Sequence, residues 1–176
     1  MLAESFLLSF LSNIFYMKPF KVVSNFEVYE SVEELPKVIQ DLMKEAVSAR
    51  DNAYAPYSQF KVGAALTLNN AEVITGSNQE NASYPSGLCA ERTAIYYAGA
   101  KYPEVQIQNI AISAKSMKHK VNAPVPPCGA CRQALIEYEV KQNSEINVFF
   151  MGESGQVMKA NSIKDLLPLI FDNSAL

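Results

Sequence analysis

The chain has three cysteines, in two short blocks: Cys89-Ala90-Glu91 and Pro127-Cys128-Gly129-Ala130-Cys131. A Cys-x-x-Cys pair and a third, distant cysteine supply three thiolates to one Zn²⁺ only if the fold brings separate segments together. Structural zinc is normally closed by four protein ligands, whereas catalytic zinc keeps one position open. Three thiolates with a carboxylate two residues from one of them therefore read as a catalytic site. Cys89, Cys128 and Cys131 hold the metal, and Glu91 moves protons for a water that the metal activates.

Competing readings stand beside this one. Free cysteines are often buried structural thiols. His119, the only histidine, would close a structural site as fourth ligand, although Lys118 and Lys120 mark a solvated loop tip there. A non-catalytic, zinc-stabilised interaction domain is a third reading, which Glu91 beside a three-ligand zinc opposes. Glu91 alone would pass as an acid complementing a helix dipole. Arg92 reads either as an exposed helix arginine or as a counter-charge. Three thiolates on Zn²⁺ leave a net −1, which a neighbouring guanidinium offsets.

A chain of 176 residues suits one domain, and 49% hydrophobic with 19% charged residues suits a globular one. The net charge of −3 gives no basic footprint for a polynucleotide, so a small substrate is expected and no nucleic acid polymer. An odd number of cysteines makes a poor disulfide framework and suggests a reducing, cytoplasmic setting. Met1 to Tyr16 is apolar but has no Lys or Arg, carries Glu4, and lacks a small-residue cleavage site. It is also too short and too interrupted to span a membrane. Residues 1–16 read as an appendage without function upstream of an alternative start at Met17, with a membrane or targeting role as the competing reading, and no membrane partner is expected for the protein. Residues 17–176 are expected to form a single domain.

Phe20 to Tyr29 is β-branched and aromatic, a candidate extra edge strand within residues 17–30. Ser31 with Glu34 forms a capping-box pattern, and Leu35, Ile39, Leu42, Ala46 and Ala49 continue at helical spacing. Ala55 to Ser58 reads as a loop. Strands are predicted over Lys61–Leu68 and Glu72–Gly76 around Asn69-Asn70, then at Gln106–Ala114, Ile146–Met151 and Gln156–Ala160. Helices are predicted from Ala90 to about Ala100, from Gly129 to about Lys141, and briefly from Ser162. The fold class is α/β, a three-layer α/β/α sandwich around one mixed sheet. Both cysteine blocks then sit where a loop enters a helix, and free N–H groups there favour thiolate.

The motif Cys89-Ala90-Glu91-Arg92-Thr93-Ala94 and the motif from Pro127 to Gln133 resemble the two zinc motifs of the small cytidine deaminases. The resemblance extends to Phe60-Lys61-Val62-Gly63-Ala64-Ala65, Asn78-Gln79-Glu80-Asn81-Ala82, and Leu166-Leu167-Pro168 with Phe171. Together these cover roughly Glu34 to Phe171. What the resemblance implies is hydrolytic deamination of cytidine and 2′-deoxycytidine at C4, with one Zn²⁺ per chain and a free cytosine nucleoside as partner. It also implies that Asn78 and Glu80 bond the sugar hydroxyls and that Phe60 packs against the base. Ala90 is implied as a further substrate contact, and the family is homotetrameric, with Phe171 reaching a neighbouring subunit's site. A related enzyme for a modified cytosine nucleoside or nucleotide is the alternative within deaminases. Arg132 and Gln133 are expected to support the helix and the interface.

Overall fold

In the computed structural model, which describes residues 17–176, six strands form one sheet. They are β1 (Phe26–Tyr29), β2 (Phe60–Leu68), β3 (Val73–Ser77), β4 (Ile107–Ser116), β5 (Asn147–Met151) and β6 (Val157–Ala160). The helices are α1 (Lys37–Asp51), α2 (Ala90–Lys101), α3 (Gly129–Gln142) and the short α4 (Ile163–Leu166). The spatial order is β1-β6-β5-β4-β2-β3, with β4 and β5 parallel and every other pair antiparallel. The appendage expected over residues 1–16 lies outside the described residues. Among those described, no helix is long and apolar enough to cross a membrane.

Side chains alternate across the pleated sheet, so each strand feeds two cores. Leu66 of β2, Ile110 and Ile112 of β4, and Val148 and Phe150 of β5 pack with Ala94 and Ile95 of α2 and with Leu135 and Ile136 of α3. Their neighbours Ala65, Ala111, Phe149 and Met151 pack on the other face against Leu42, Met43 and Ala46 of α1. This is the expected three-layer arrangement, with α1 the one α-helix on its side among the described residues. Gly63 lies so close beneath α1 that a β-carbon there would collide with the Ala46 carbonyl and the Arg50 backbone nitrogen.

The direction of the strands positions the cysteines. Strands β3 and β4 both run antiparallel to β2, so they are parallel to each other, and β5 runs with β4. Helix α2 crosses from β3 to β4, and α3 crosses from β4 to β5. Two crossovers of one hand, advancing in one direction, lie on one face of the sheet. Both helices start at the carboxyl ends of their strands, where open α/β sheets place their ligands.

Two expectations are corrected. The helix predicted from the Ser31–Glu34 capping box begins later. Val32–Glu34 form a single 3₁₀ turn, Leu35 is extended (φ −74°, ψ 154°), and α1 starts after Pro36. Proline disfavours helical backbone in the residue before it, which breaks the run at Leu35. Ser31 makes no capping bond, while the Glu34 carboxylate accepts the Glu30 N–H at 2.8 Å. The extra strand exists at the sheet edge but is shorter than Phe20 to Tyr29, since only Phe26–Tyr29 pair with β6.

The Glu27–Lys159 bridge at 2.9 Å ties that edge strand to β6. Hydrogen bonds from Lys159, Tyr29 and Asn161 hold the Glu27 carboxyl down to about 2, from 4.5. A folded value below the ordinary one stabilises fully above about pH 4.5, and the contribution is lost as pH falls through about 2. Hydrogen exchange corrected for intrinsic rates is expected to show Phe26–Tyr29 loosening across that window. Glu27→Gln should abolish the pH-dependent part while leaving α1 and the central strands unchanged.

Candidate zinc centre and adjoining cavity

Cys89 is the N-cap of α2 and Cys128 the N-cap of α3, both with extended backbone. Cys131 lies one turn into α3 and is fully buried. Each helix start exposes unpaired N–H groups and a partial positive charge, which favours thiolate. The Cys89 and Cys128 sulfurs are 3.9 Å apart, and those of Cys128 and Cys131 are 3.5 Å apart. All three lie within 4.8 Å of one another. Zn–S bonds of about 2.3 Å in a tetrahedron require S···S edges of about 3.8 Å. The donor set therefore fits one Zn²⁺, and its three soft ligands leave a fourth position. Among the described residues, His119 is not part of this group, and its Nδ1 instead faces the Ser116 hydroxyl at 3.3 Å.

The charges around the sulfurs are unequal. A hydrogen bond from Cys131 is the largest influence on Cys89. With Arg92 and Cys128 it overcomes burial and brings the Cys89 thiol down to about 5. Cys131 is pushed up by that same bond and by burial. The Arg92 guanidinium donates to the Cys89 sulfur at 3.8 Å, and its own Nε is buried without a partner. This is the counter-charge reading of Arg92. Glu91 is only 4% exposed. Burial pushes its carboxyl up, with the Cys89 charge adding to the effect and Cys131 and Arg92 opposing it. A buried acid beside a metal site and raised toward neutrality suits proton transfer in both directions.

A cavity of about 460 Å³ opens beside Cys89 and Arg92, and Asn78 and Glu80 line it. The Glu80 carboxylate accepts the Tyr57 and Ser58 N–H groups at 2.9 and 3.2 Å. Burial raises its pKa, but the bonds from Ser58 and Tyr57 and the charge of Lys118 outweigh that, leaving it lowered. The Asn78 amide donates to the Phe60 carbonyl at 3.0 Å and accepts the Val62 N–H at 2.7 Å. One of its two N–H donors remains.

Phe60 is half-buried at the start of β2, and Ala90 is wholly buried at the start of α2. Neither lines the cavity, and neither does Phe171, which is 60% exposed. Arg132 donates to the Pro127 and Leu166 carbonyls, both at 2.8 Å, and Gln133 to the Phe171 carbonyl at 2.9 Å. The second cysteine motif thus also moors the C-terminal segment.

Tyr57 and Ser58 are contributors that sequence reasoning passed over. Their backbone N–H groups hold Glu80, and the Tyr57 ring meets that of Tyr84 across the cavity at 6.0 Å. The run Ala55-Pro56-Tyr57-Ser58 signals only a turn, since almost every residue has a backbone N–H.

Residues 36–144 match the family model described as the cytidine and deoxycytidylate deaminase zinc-binding region. The chain is 42% identical over 132 residues to the cytidine deaminase of Halalkalibacterium halodurans, covering 75% of this chain and 92% of that protein. It is 33% identical to the probable cytidine deaminase of Dictyostelium discoideum, covering 82% and 88%. The crystal structure of cytidine deaminase from Burkholderia pseudomallei superposes with a TM-score of 0.65 at 41% identity, covering 74% of this chain and 97% of that one.

Cys89→Ser, Cys128→Ser or Cys131→Ser should each abolish retention of the metal, whereas His119→Ala should keep it. Elemental analysis of the purified variants decides between three protein ligands and four. An unchanged metal content in any cysteine variant would remove that residue from the ligand set.

Proposed function

Because the chain belongs to the cytidine deaminase family, we propose that it catalyses hydrolytic deamination of cytidine and 2′-deoxycytidine to uridine and 2′-deoxyuridine, and that Glu91 is the proton-transfer residue. The enzyme is a zinc-dependent hydrolase, and pyrimidine salvage is its general role. The single observation that carries the residue assignment is the buried Glu91 beside three convergent thiols, with one ligand position left over.

Cys89, Cys128 and Cys131 would hold the zinc. When bound, Zn²⁺ acts as a Lewis acid and makes water nucleophilic near neutral pH. Glu91 takes a proton from the attacking water and delivers it to N3 of the cytosine ring. It then carries the second proton to the amino group, which departs as ammonia, and the ring keeps the water oxygen at C4. Atoms balance as nucleoside plus water giving deaminated nucleoside plus ammonia. Arg92 offsets the excess negative charge of the thiolates. Glu80 and the remaining N–H of Asn78 bond the sugar, with Glu80 pre-set by its two backbone donors. The assignment of Phe60 and Ala90 to the base rests on the family motifs alone, since neither lines this cavity.

The substrate is a free nucleoside. We place the enzyme in the cytoplasm, because its three unpaired thiols suit a reducing compartment. We further read the active unit as a homotetramer, in which Phe171 closes the cavity of a neighbouring subunit. Phe171 supports this by its exposure, by its absence from its own chain's cavity and by its moored carbonyl. Exposed Tyr96 and Tyr97 on α2 add apolar surface for self-association.

Glu91→Gln should keep the fold and the zinc but lower kcat by about 10²–10⁴-fold, the usual worth of a positioned proton-transfer group. Loss of cytidine absorbance measures it, with cytidine 5′-monophosphate as comparison. Faster turnover of the monophosphate would favour a nucleotide deaminase.

Phe171→Ala tests the assembly more cleanly than deletion of the C-terminal segment, because Ile163 and Leu166 belong to the core. The variant should raise KM by about tenfold or more, as loss of an aromatic interface anchor does. Sedimentation should show smaller species in parallel. A fully active monomer would overturn the shared-site reading.

A further inference from the structure

Arg50 is a buried cation that the proposed chemistry does not use. It sits in the last turn of α1 and is only 6% exposed. Its guanidinium donates to the Ser113 hydroxyl at 2.8 Å, and Ser113, on β4, donates to the Gly152 carbonyl at 2.9 Å. The Nε atom is buried without a partner, and the Asp51 carboxylate, at 3.9 Å, is 69% exposed. Burying a charge with so little compensation is costly, and an apolar side chain would pack there more cheaply. Its geometry is what distinguishes it. Gly63 pairs with Ser113 across the sheet, and without a side chain at Gly63 the helix comes close enough for Arg50 to reach β4.

Gly152 opens the turn between β5 and β6, and this turn grips the loop that follows β4. The Glu153 N–H donates to the Val121 carbonyl at 2.8 Å, and the Val121 N–H donates to the Glu153 carboxylate at 3.3 Å. Ser154 donates to the Asn122 side chain at 3.4 Å. The Val121 and Ala123 carbonyls fill the space where a Gly152 side chain would stand. Gly155 (φ +92°) lies against the Asn122 carbonyl. From this anchor the chain runs through Pro124, Pro126 and Pro127 to Cys128. Proline-rich segments are stiff spacers, so a position set at Val121 is passed on to the cysteine.

We propose that Arg50 is a positioning residue for the zinc site: through Ser113 and Gly152 it fixes the β5–β6 turn, and the proline-stiffened segment carries that placement to Cys128. The inference rests on the zinc-dependent reading above. Arg50 touches neither metal nor substrate, and its effect is local to the second cysteine block.

The test compares Arg50→Met, which keeps reach but loses the donors, with Arg50→Lys, which keeps a donor, and Ser113→Ala, which removes the relay. Zinc-loaded protein is challenged with a chromogenic chelator, and hydrogen exchange is read peptide by peptide. Arg50→Met and Ser113→Ala should release zinc about tenfold faster or more, on the scale seen when outer partners of metal ligands are lost. Exchange should rise in residues 117–127 and stay unchanged around Cys89, and Arg50→Lys should restore most of both. Unchanged zinc release and loop exchange in a folded Arg50→Met protein would overturn the proposal. So would loosening spread evenly over the chain, or an Arg50→Lys variant no better than Arg50→Met. If Arg50→Met does not fold, Ser113→Ala carries the same two readouts. Should the unsubstituted protein bind no zinc, the zinc reading fails, and loop exchange alone still decides whether Arg50 sets the second cysteine block.

Discussion

The rest of the structure depends on the meeting of two helix N-termini that bring three sulfurs within reach of one cation. Three thiolates at this separation repel one another. A helix N-terminus offsets charge by only about 0.3–1 kcal/mol near a surface. Arg92 donates to the Cys89 sulfur and offsets part of that charge. A divalent cation removes the repulsion directly. The strand directions make the meeting possible, because β3 and β4 both run antiparallel to β2 and so deliver α2 and α3 to the same end of the sheet.

Two glutamates near this point are tuned in opposite senses by their surroundings. Glu80 faces a cavity and accepts two backbone N–H groups, which favours its ionised form. Glu91 is buried against the sulfurs, which raises it toward the range where a carboxyl both takes and returns a proton. On the proposed reading, one residue type serves binding and proton transfer, with environment separating the two roles. The C-terminal segment belongs to the same assembly of parts, since Arg132 and Gln133 attach it to the helix that carries Cys131.

What was readable in the sequence follows from how restrictive each requirement is. Zinc accepts few donor types, so three cysteines and an adjacent glutamate identify themselves by spacing. The alternating Ile110 and Ile112, and the helical recurrence of Ile39, Leu42 and Ala46, mark core faces for the same reason, and all of them are buried. Helix starts were less readable. Ser31 and Glu34 make a capping pattern, but the backbone restriction from Pro36 outweighs it. Tyr57 and Ser58 were not readable as site residues, because the groups that matter are backbone N–H donors brought to Glu80 by a turn.

The sequence by itself determined the ligand chemistry, the proton-transfer candidate, the alternation of strands and helices and hence the layered fold class. These depend on residue type and short-range period, which a linear pattern records directly. Tertiary structure alone decided that Arg50 is buried rather than solvated, that Glu80 is pre-set by a distant turn, and that the turn at Gly152 holds the loop leading to Cys128. Each of those rests on atoms far apart along the chain, brought together only when the sheet closes and α1 settles onto Gly63.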